Sequence, residues 1–317
     1  MDRSGTRLRR RARRGSRQRW LRRALFGLSA ALLITALVML VSYIRQGNEA
    51  RRLQQALRDK MQQAALAAQP TSTPMPAPTP LVSPPPVLLA LAPPVTATPR
   101  PLPSPGAPIQ PKLQSIYEQN HDMVGWLSSD AIYDIDFPVV HRDNSYYLDK
   151  DFHGRPNRAG TVFLDEGNDL LPQDQNLILH GHNMKDGTMF GKLYRLMDRG
   201  ALAANPFFSF SSLYDDMTYV PYAVSLVSVR YGDEDYVDLM RTRFADEVAL
   251  DRYVQTLRDH SVLRLPVDVD SGDRLLTLVT CHGKEDTERL VIALRSLRPE
   301  ETRAAVQATL IEHAAAR

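Results

Sequence analysis

The first hydrophobic feature along the chain is one long uncharged block. Ala24 to Ile44, ALFGLSAALLITALVMLVSYI, is 21 residues without a charge. A helix rises 1.5 Å per residue, so this block spans about 31 Å against a hydrocarbon core of about 30 Å. It predicts a membrane-crossing helix. Beyond it, from Arg45 to Gln69, leucines at 53, 57 and 66 stand in Ala/Gln/Arg sequence and predict a short polar helical stalk. From Lys112 the pattern changes to short runs. Lys112–Asp122 reads as a helix. Trp126-Leu127, Ala131–Val140 and Gly160–Leu164 are apolar or alternating stretches set between Asp, Asn, Gly and Pro clusters, the mark of strands and turns. Asn176–His180, Thr218–Val229, Arg274–Thr280 and Arg289–Leu294 read as further strands. Apolar residues at 189, 190, 193, 196 and 197 predict a helix over Thr188–Asp198, and a second helical period covers Phe244–His260. Six to eight short strands with two or three helices point to a mainly β architecture, a barrel or mixed β fold.

Proline changes this picture in one place. Sixteen of the 23 prolines lie in residues 70–111, a stretch otherwise rich in Thr, Ser and Ala. Such sequence makes no core and favours extended polyproline II conformations, so these 42 residues read as a linker. At about 3.1 Å per residue it reaches up to about 130 Å. The chain thus divides into a tail over 1–23, a signal anchor over 24–44, a stalk over 45–69, a Pro-rich linker over 70–111 and one folded domain over 112–317. That last segment is long enough to bury a substantial core.

Charge is equally uneven. The first 23 residues hold eleven Arg and one acid; the remainder holds 28 basic and 35 acidic residues, a balance of −7. The basic character therefore belongs to the tail, and nucleic-acid binding is excluded as a reading of the body. The Arg-rich flank predicts a cytoplasmic tail, with everything after Tyr43 outside the cell. A cleaved signal peptide is the competing reading. Its apolar region is usually shorter, and no small-x-small site follows Ile44.

Cys281 is the single cysteine. Without a partner it forms no internal disulfide, so it is either buried filler or a nucleophile. It stands where the apolar run LLTLVT ends and the polar HGKEDTE begins, and strand ends hold reactive groups rigidly yet accessibly. A free thiol, with a pKa of about 8.5, is mostly protonated at pH 7 and needs a basic partner. His182, in HGHNM after the strand NLIL, is the first candidate. His180 and His182 share a strand face, so a two-histidine metal site competes, although no third ligand lies at short spacing. Either histidine could equally satisfy a backbone carbonyl, which is the expectation for His180. His282 neighbours the thiol in sequence but lies on a turning loop, and ranks below His182. Arg289 opens the next strand, where a seven-residue connection sets it beside Cys281 as a donor to a forming oxyanion.

These residues carry a family resemblance. NLILHGHNMKDGTMFGKL (176–193) resembles the histidine segment of class B sortases, the cysteine transpeptidases of Gram-positive surfaces. TLVTC (277–281) resembles the sortase nucleophile motif TLxTC, and Arg289-Leu290-Val291 resembles the arginine strand that follows it. FPVV (137–140), DNSYYL (143–148) and GTVFLD (160–165) are similar to class B sequences, and the segments agree in order from 113 to about 298. The resemblance implies an eight-stranded barrel with flanking helices, and His182, Cys281 and Arg289 as the catalytic three. It assigns Asn144 and Leu148 to the substrate groove and no role to His180.

It also implies a reaction. A secreted protein's C-terminal sorting signal would be cleaved after Thr, and the acyl group passed to an amine of a peptidoglycan precursor or a pilin lysine. No cofactor or metal is implied. An L,D-transpeptidase is a weaker reading, because its signature orders the residues HGC where this chain has CHG. A non-enzymatic, membrane-tethered binding or metal-handling module remains the reading of another class.

Overall fold

The computed structural model describes residues 4–68, 106–282 and 287–316. Most of the Pro-rich segment expected as a linker lies outside the described residues. The chain forms two compact units, Met1–Arg51 and Arg52–Arg317. Helix α1, Ser4–Ala67, supplies the described secondary structure of the first unit, and its last turns belong to the second. From Leu25 the helix is long and apolar enough to cross a membrane. Leu25, Leu28, Leu32, Leu33, Leu37 and Leu40 are each more than half exposed, so this stretch fills no protein core.

The second unit is a closed eight-stranded barrel with the strands ordered β1-β2-β3-β4-β7-β8-β6-β5. The strands are β1 Met123–Ser129, β2 Asp136–His141, β3 Phe163–Leu164, β4 Asn176–His180, β5 Phe208–Ser212, β6 Asp216–Ser228, β7 Leu275–Cys281 and β8 Glu288–Ser296. Two seams are parallel, β2 with β3 and β4 with β7, and the other pairings are antiparallel. Closure removes every free strand edge. The apolar runs read from the sequence supply the core: Leu177, Ile178 and Leu179 of β4, Leu275, Leu276 and Leu278 of β7, and Leu290 through Leu294 of β8 are all buried. Helix α4, Glu247–Asp259, caps its first turn with Asp246, whose Oδ1 accepts the Ala249 N–H at 2.8 Å, and buries Leu250, Tyr253, Val254 and Leu257. That spacing is one helix face, and it matches the period read over Phe244–His260.

A second apolar cluster brings the last turns of α1 onto the barrel. Leu57 is buried with Leu113, Ile116, Met123, Trp126, Val140 and Tyr147, and Leu53 and Met61 pack beside it. Arg58 Nε pairs with Asp136 Oδ2 at 2.8 Å, and the Trp126 indole N–H donates to Asp136 Oδ1 at 2.6 Å. Two of the three stalk leucines, 53 and 57, therefore belong to the domain's packing, whereas Leu66 stays exposed. Helix α2, Pro111–Tyr117, contributes Leu113 and Ile116 to the same cluster.

Two expected elements differ. The helix expected over Thr188–Asp198 is a turn followed by a 3₁₀ segment, Leu193–Met197, and then the short α3, Arg199–Ala204. Gly187 and Met189 both take positive φ, 79° and 50°, which a helix cannot accommodate, so the apolar spacing there reflects a loop folded over the barrel. The strand expected over Ala131–Val140 begins only at Asp136, because Ser129 Oγ accepts the Ile132 N–H and a turn occupies 130–135. Two elements were not anticipated: β5 is short, and α5, Arg303–Ala315, is alanine-rich and buries only Leu310, so it shows no apolar stripe.

Candidate active site

Register brings the three leading candidates together. His180 pairs with Val279 across the parallel β4–β7 seam, and the Gly181 N–H continues to the Val279 carbonyl at 3.2 Å. His182 therefore comes alongside Cys281, the last residue of β7. Across the next seam Cys281 pairs directly with Arg289 of β8. Directly opposed residues share a face, so an imidazole, a thiol and a guanidinium line up across three strands at one rim. Cys281 is exposed there, and the alternation of the strand turns His282 to the other face, its N–H bonded to the Glu288 carbonyl at 3.0 Å. His282 is thereby separated from the group.

Past the end of the ladder, side chains continue the link between the two chains. Thr280 Oγ1 donates to the Gly181 carbonyl at 2.7 Å, and Asn183 Nδ2 donates to the Cys281 carbonyl at 2.8 Å. The His182 carbonyl accepts the Phe190 N–H at 3.0 Å, folding the histidine loop back on itself.

A cleft of about 270 Å³ opens on this face, lined by Asn144, Leu148, Asp165, His180, His182, Met240, Cys281 and Arg289 among others. All five residues singled out from the sequence, His182, Cys281, Arg289, Asn144 and Leu148, lie on it. Leu148 closes a 3₁₀ turn, Tyr146–Leu148, and its side chain is exposed while its carbonyl oxygen lies 2.8 Å from His182 Nε2. A carbonyl only accepts, so Nε2 carries the proton and Nδ1 is left as the ring's second functional nitrogen.

The histidine expectations are reversed in one respect. His180, expected on a backbone carbonyl, instead holds a carboxylate: its Nε2 lies 2.9 Å from Asp165 Oδ2. Its ring stacks on Phe163 with centroids 5.2 Å apart. It is His182 that meets a backbone carbonyl. With one ring nitrogen directed to Asp165 and the other histidine's to Leu148, the pair does not converge as ligands, and no group of three metal-binding side chains occurs among the described residues.

Asp165 went unassigned in the sequence although it ends the segment GTVFLD. It is buried, and its Oδ1 accepts the Gly167 N–H at 3.0 Å while Oδ2 also accepts Asn144 Nδ2 at 2.9 Å. Burial pushes the carboxyl up, but the hydrogen bonds from His180, Gly167 and Asn144 and the His180 charge outweigh it and hold the carboxyl below its ordinary value. Gly160 is the other missed residue. It takes φ +63°, and a Cβ there would lie 2.7 Å from the Tyr147 and Leu148 carbonyls and 3.2 Å from His182 Cδ2.

A closed barrel that sets a single exposed thiol beside a histidine and an arginine defines a cysteine-nucleophile architecture of the sortase type. Comparison with known proteins gives the same answer. The Sortase domain family model matches residues 130–296. Sortase B of Listeria monocytogenes is 35% identical over 182 residues, 57% of this chain and 71% of that protein. Sortase B of Staphylococcus aureus is 28% identical over 193 residues, covering 60% and 76%. The S. aureus sortase B–substrate complex superposes with a TM-score of 0.62 at 21% identity, over 80% of this chain and 99% of that one. A Bacillus anthracis protein similar to sortase B gives 0.54 at 27%, over 64% and 90%. The chain belongs to the sortase family of cysteine transpeptidases, in class B.

Proposed function

We propose that this protein is a membrane-anchored transpeptidase that cleaves a C-terminal sorting signal after Thr and transfers the acyl group to a cell-wall amine. The observation that carries this reading is the register of three strands, which sets His182, Cys281 and Arg289 side by side on one cleft. The uncharged span from Ala24 to Ile44 and the Arg-rich tail before it support a cytoplasmic N-terminus and an extracellular barrel.

The chemistry follows from the arrangement. The Cys281 thiolate attacks the Thr carbonyl carbon, and the oxygen takes the displaced electron pair beside the Arg289 guanidinium. Collapse breaks the C–N bond. The departing amine takes a proton from His182, and a thioester to Cys281 remains. The acceptor amine then attacks the thioester and gives its proton to His182, and breaking the C–S bond restores the thiolate. With Nε2 bonded to the Leu148 carbonyl, Nδ1 is the nitrogen that carries these protons.

The test uses the full chain in detergent with a panel of fluorogenic sorting-signal peptides, with and without amine acceptors. Cleavage of one motif after Thr, abolished in Cys281→Ala and His182→Ala and strongly reduced in Arg289→Ala, is the expected result. Cleavage that persists in Cys281→Ala, or no cleavage of any peptide, overturns the reading.

A further inference from the structure

Two ties join the turn at Asp143–Leu148 to the histidine-bearing end of β4. The first starts at Asn144, whose Nδ2 donates to Asp165 Oδ2 at 2.9 Å, and that same oxygen meets His180 Nε2 at 2.9 Å. The second starts at Leu148, whose carbonyl receives His182 Nε2 at 2.8 Å. The turn is therefore fastened at two points four residues apart, through Asp165 to His180 and directly to His182.

The first tie is built stiffly. Asn144 Oδ1 accepts the Glu166 N–H at 2.9 Å while its Nδ2 donates to Asp165, so the carboxamide is oriented from both ends, and the Asn144 main-chain N–H adds a bond to Glu166 Oε2 at 3.3 Å. Phe163 stacks on the His180 ring. Asp165 is only 4% exposed, and its two oxygens serve three N–H donors. A carboxylate so occupied has little capacity left for a peptide or an incoming proton; its contribution is to hold groups that do have that capacity. Its depressed pKa agrees with the same geometry, since the charged form is the one that satisfies all three donors.

We propose that Asp165 is a positioning residue for the acid–base imidazole: it fixes the turn at Asn144, so that the Leu148 carbonyl stays on His182 Nε2 and the ring keeps one orientation and one tautomer. The inference rests on the reading of His182 as the proton-transfer group. Neither Asp165 nor Asn144 need touch the reacting atoms for this. Without the first tie Asn144 keeps its bonds to Glu166 but loses its link to Asp165 and His180, the Leu148 carbonyl drifts, and the ring loses its fixed tautomer. Displacement of a catalytic group by about 1 Å costs on the order of a hundredfold in rate.

The full chain is compared with Asp165→Asn, which keeps the shape but replaces one acceptor oxygen with a donor facing donors. Two readouts are taken: steady-state peptide cleavage, and the rate at which iodoacetamide alkylates Cys281 near neutral pH. The charged or titratable groups lining the cleft are Asp165, His180, His182, Cys281 and Arg289, with Glu166 behind Asn144, so alkylation is followed from pH 5 to 9 in each variant. Expected is a fall in kcat of about ten- to a hundredfold with KM within about threefold, and several-fold slower alkylation at neutral pH. Asn144→Ala should act in the same direction, and its effect should vanish in the Asp165→Asn background, because both cut one tie.

Wild-type kcat and alkylation in Asp165→Asn, or additive effects of the two substitutions, overturn the proposal. A fall in Tm with both readouts unchanged also overturns it, as that is a purely structural role. Should Asp165→Asn not fold, Asn144→Ala at the part-exposed end of the tie decides by the same two readouts. Alkylation needs no peptide, so a wrong reading of the overall reaction would appear as absent cleavage while the tie is still judged.

Discussion

His182 Nε2 lies 2.8 Å from the Leu148 carbonyl oxygen, so a main-chain group holds the imidazole where a Ser-His-Asp triad uses a carboxylate. The nearby carboxylate, Asp165, is bonded to His180 instead. A carbonyl carries no formal charge, so its part is to orient the ring and select its tautomer.

The first prediction separates the backbone of Leu148 from its side chain. Leu148→Ala keeps the carbonyl, and the side chain it removes is an exposed apolar surface on the cleft. We expect KM for peptide to rise roughly tenfold with kcat within about threefold, the effect of removing about 1.5 kcal/mol of apolar burial between peptide and cleft. Steady-state kinetics decide this; a large loss in kcat at unchanged KM would place the effect on the imidazole instead.

Gly160→Ala disturbs the same carbonyl from behind. The φ of +63° is strained for alanine, and the added carbon would crowd the Leu148 carbonyl and the His182 ring. We expect a loss of about 1–3 kcal/mol in denaturant unfolding together with a marked fall in kcat. Unchanged kcat alongside the lower stability would show that the Leu148 carbonyl does not govern His182.

The packing of α1 on the barrel gives a third expectation. Leu57→Ala should cost about 2–5 kcal/mol, because Leu57 is buried among Leu113, Ile116, Met123 and Trp126. A chain beginning at residue 112 should melt below one beginning at residue 52, since it leaves that cluster uncovered. Calorimetry of the two truncations tests this, and equal Tm values would refute it.

Acid stability follows from carboxyls held low in the folded state, Asp165 and Glu301 among them. Asp165 is lowered as described, and Glu301, despite partial burial, is lowered by hydrogen bonds from Arg295 and from the Arg298 N–H. Both groups bind protons more weakly folded than unfolded. Their contribution is therefore complete above the unfolded values near pH 4 and disappears as the pH falls through the lower folded ones. Glu301 makes two bonds to Arg295, 2.5 and 2.6 Å, and that arginine is 2% exposed. Glu301→Gln should lower Tm at pH 7 and flatten its fall between pH 5 and 3. A wild-type slope in that window would assign the acid sensitivity elsewhere.

The local patterns legible in the residues were those that one short segment determines alone. Uncharged length marked the span at 24–44, and runs such as NLILH and RLLTLVT marked β4 and β7, because a buried strand needs apolar side chains whatever its partners are. The motif residues His182, Cys281 and Arg289 could be named for the same reason: each sits at the edge of such a run. Pairing is a different kind of quantity. That β4 lies parallel to β7, that Cys281 opposes Arg289, and that Asp165 reaches His180 across the β3–β4 seam depend on segments up to a hundred residues apart. The distinction between the two histidines was hidden for that reason, since a carboxylate and a carbonyl approaching from distant segments leave no trace in HGH itself. The docking of Leu53 and Leu57 escaped likewise: three leucines in polar sequence bury nothing until α2 and β1 present a surface to receive them. Sequence determined which residues could be buried or reactive, and only barrel closure, by setting register, decided which of them meet.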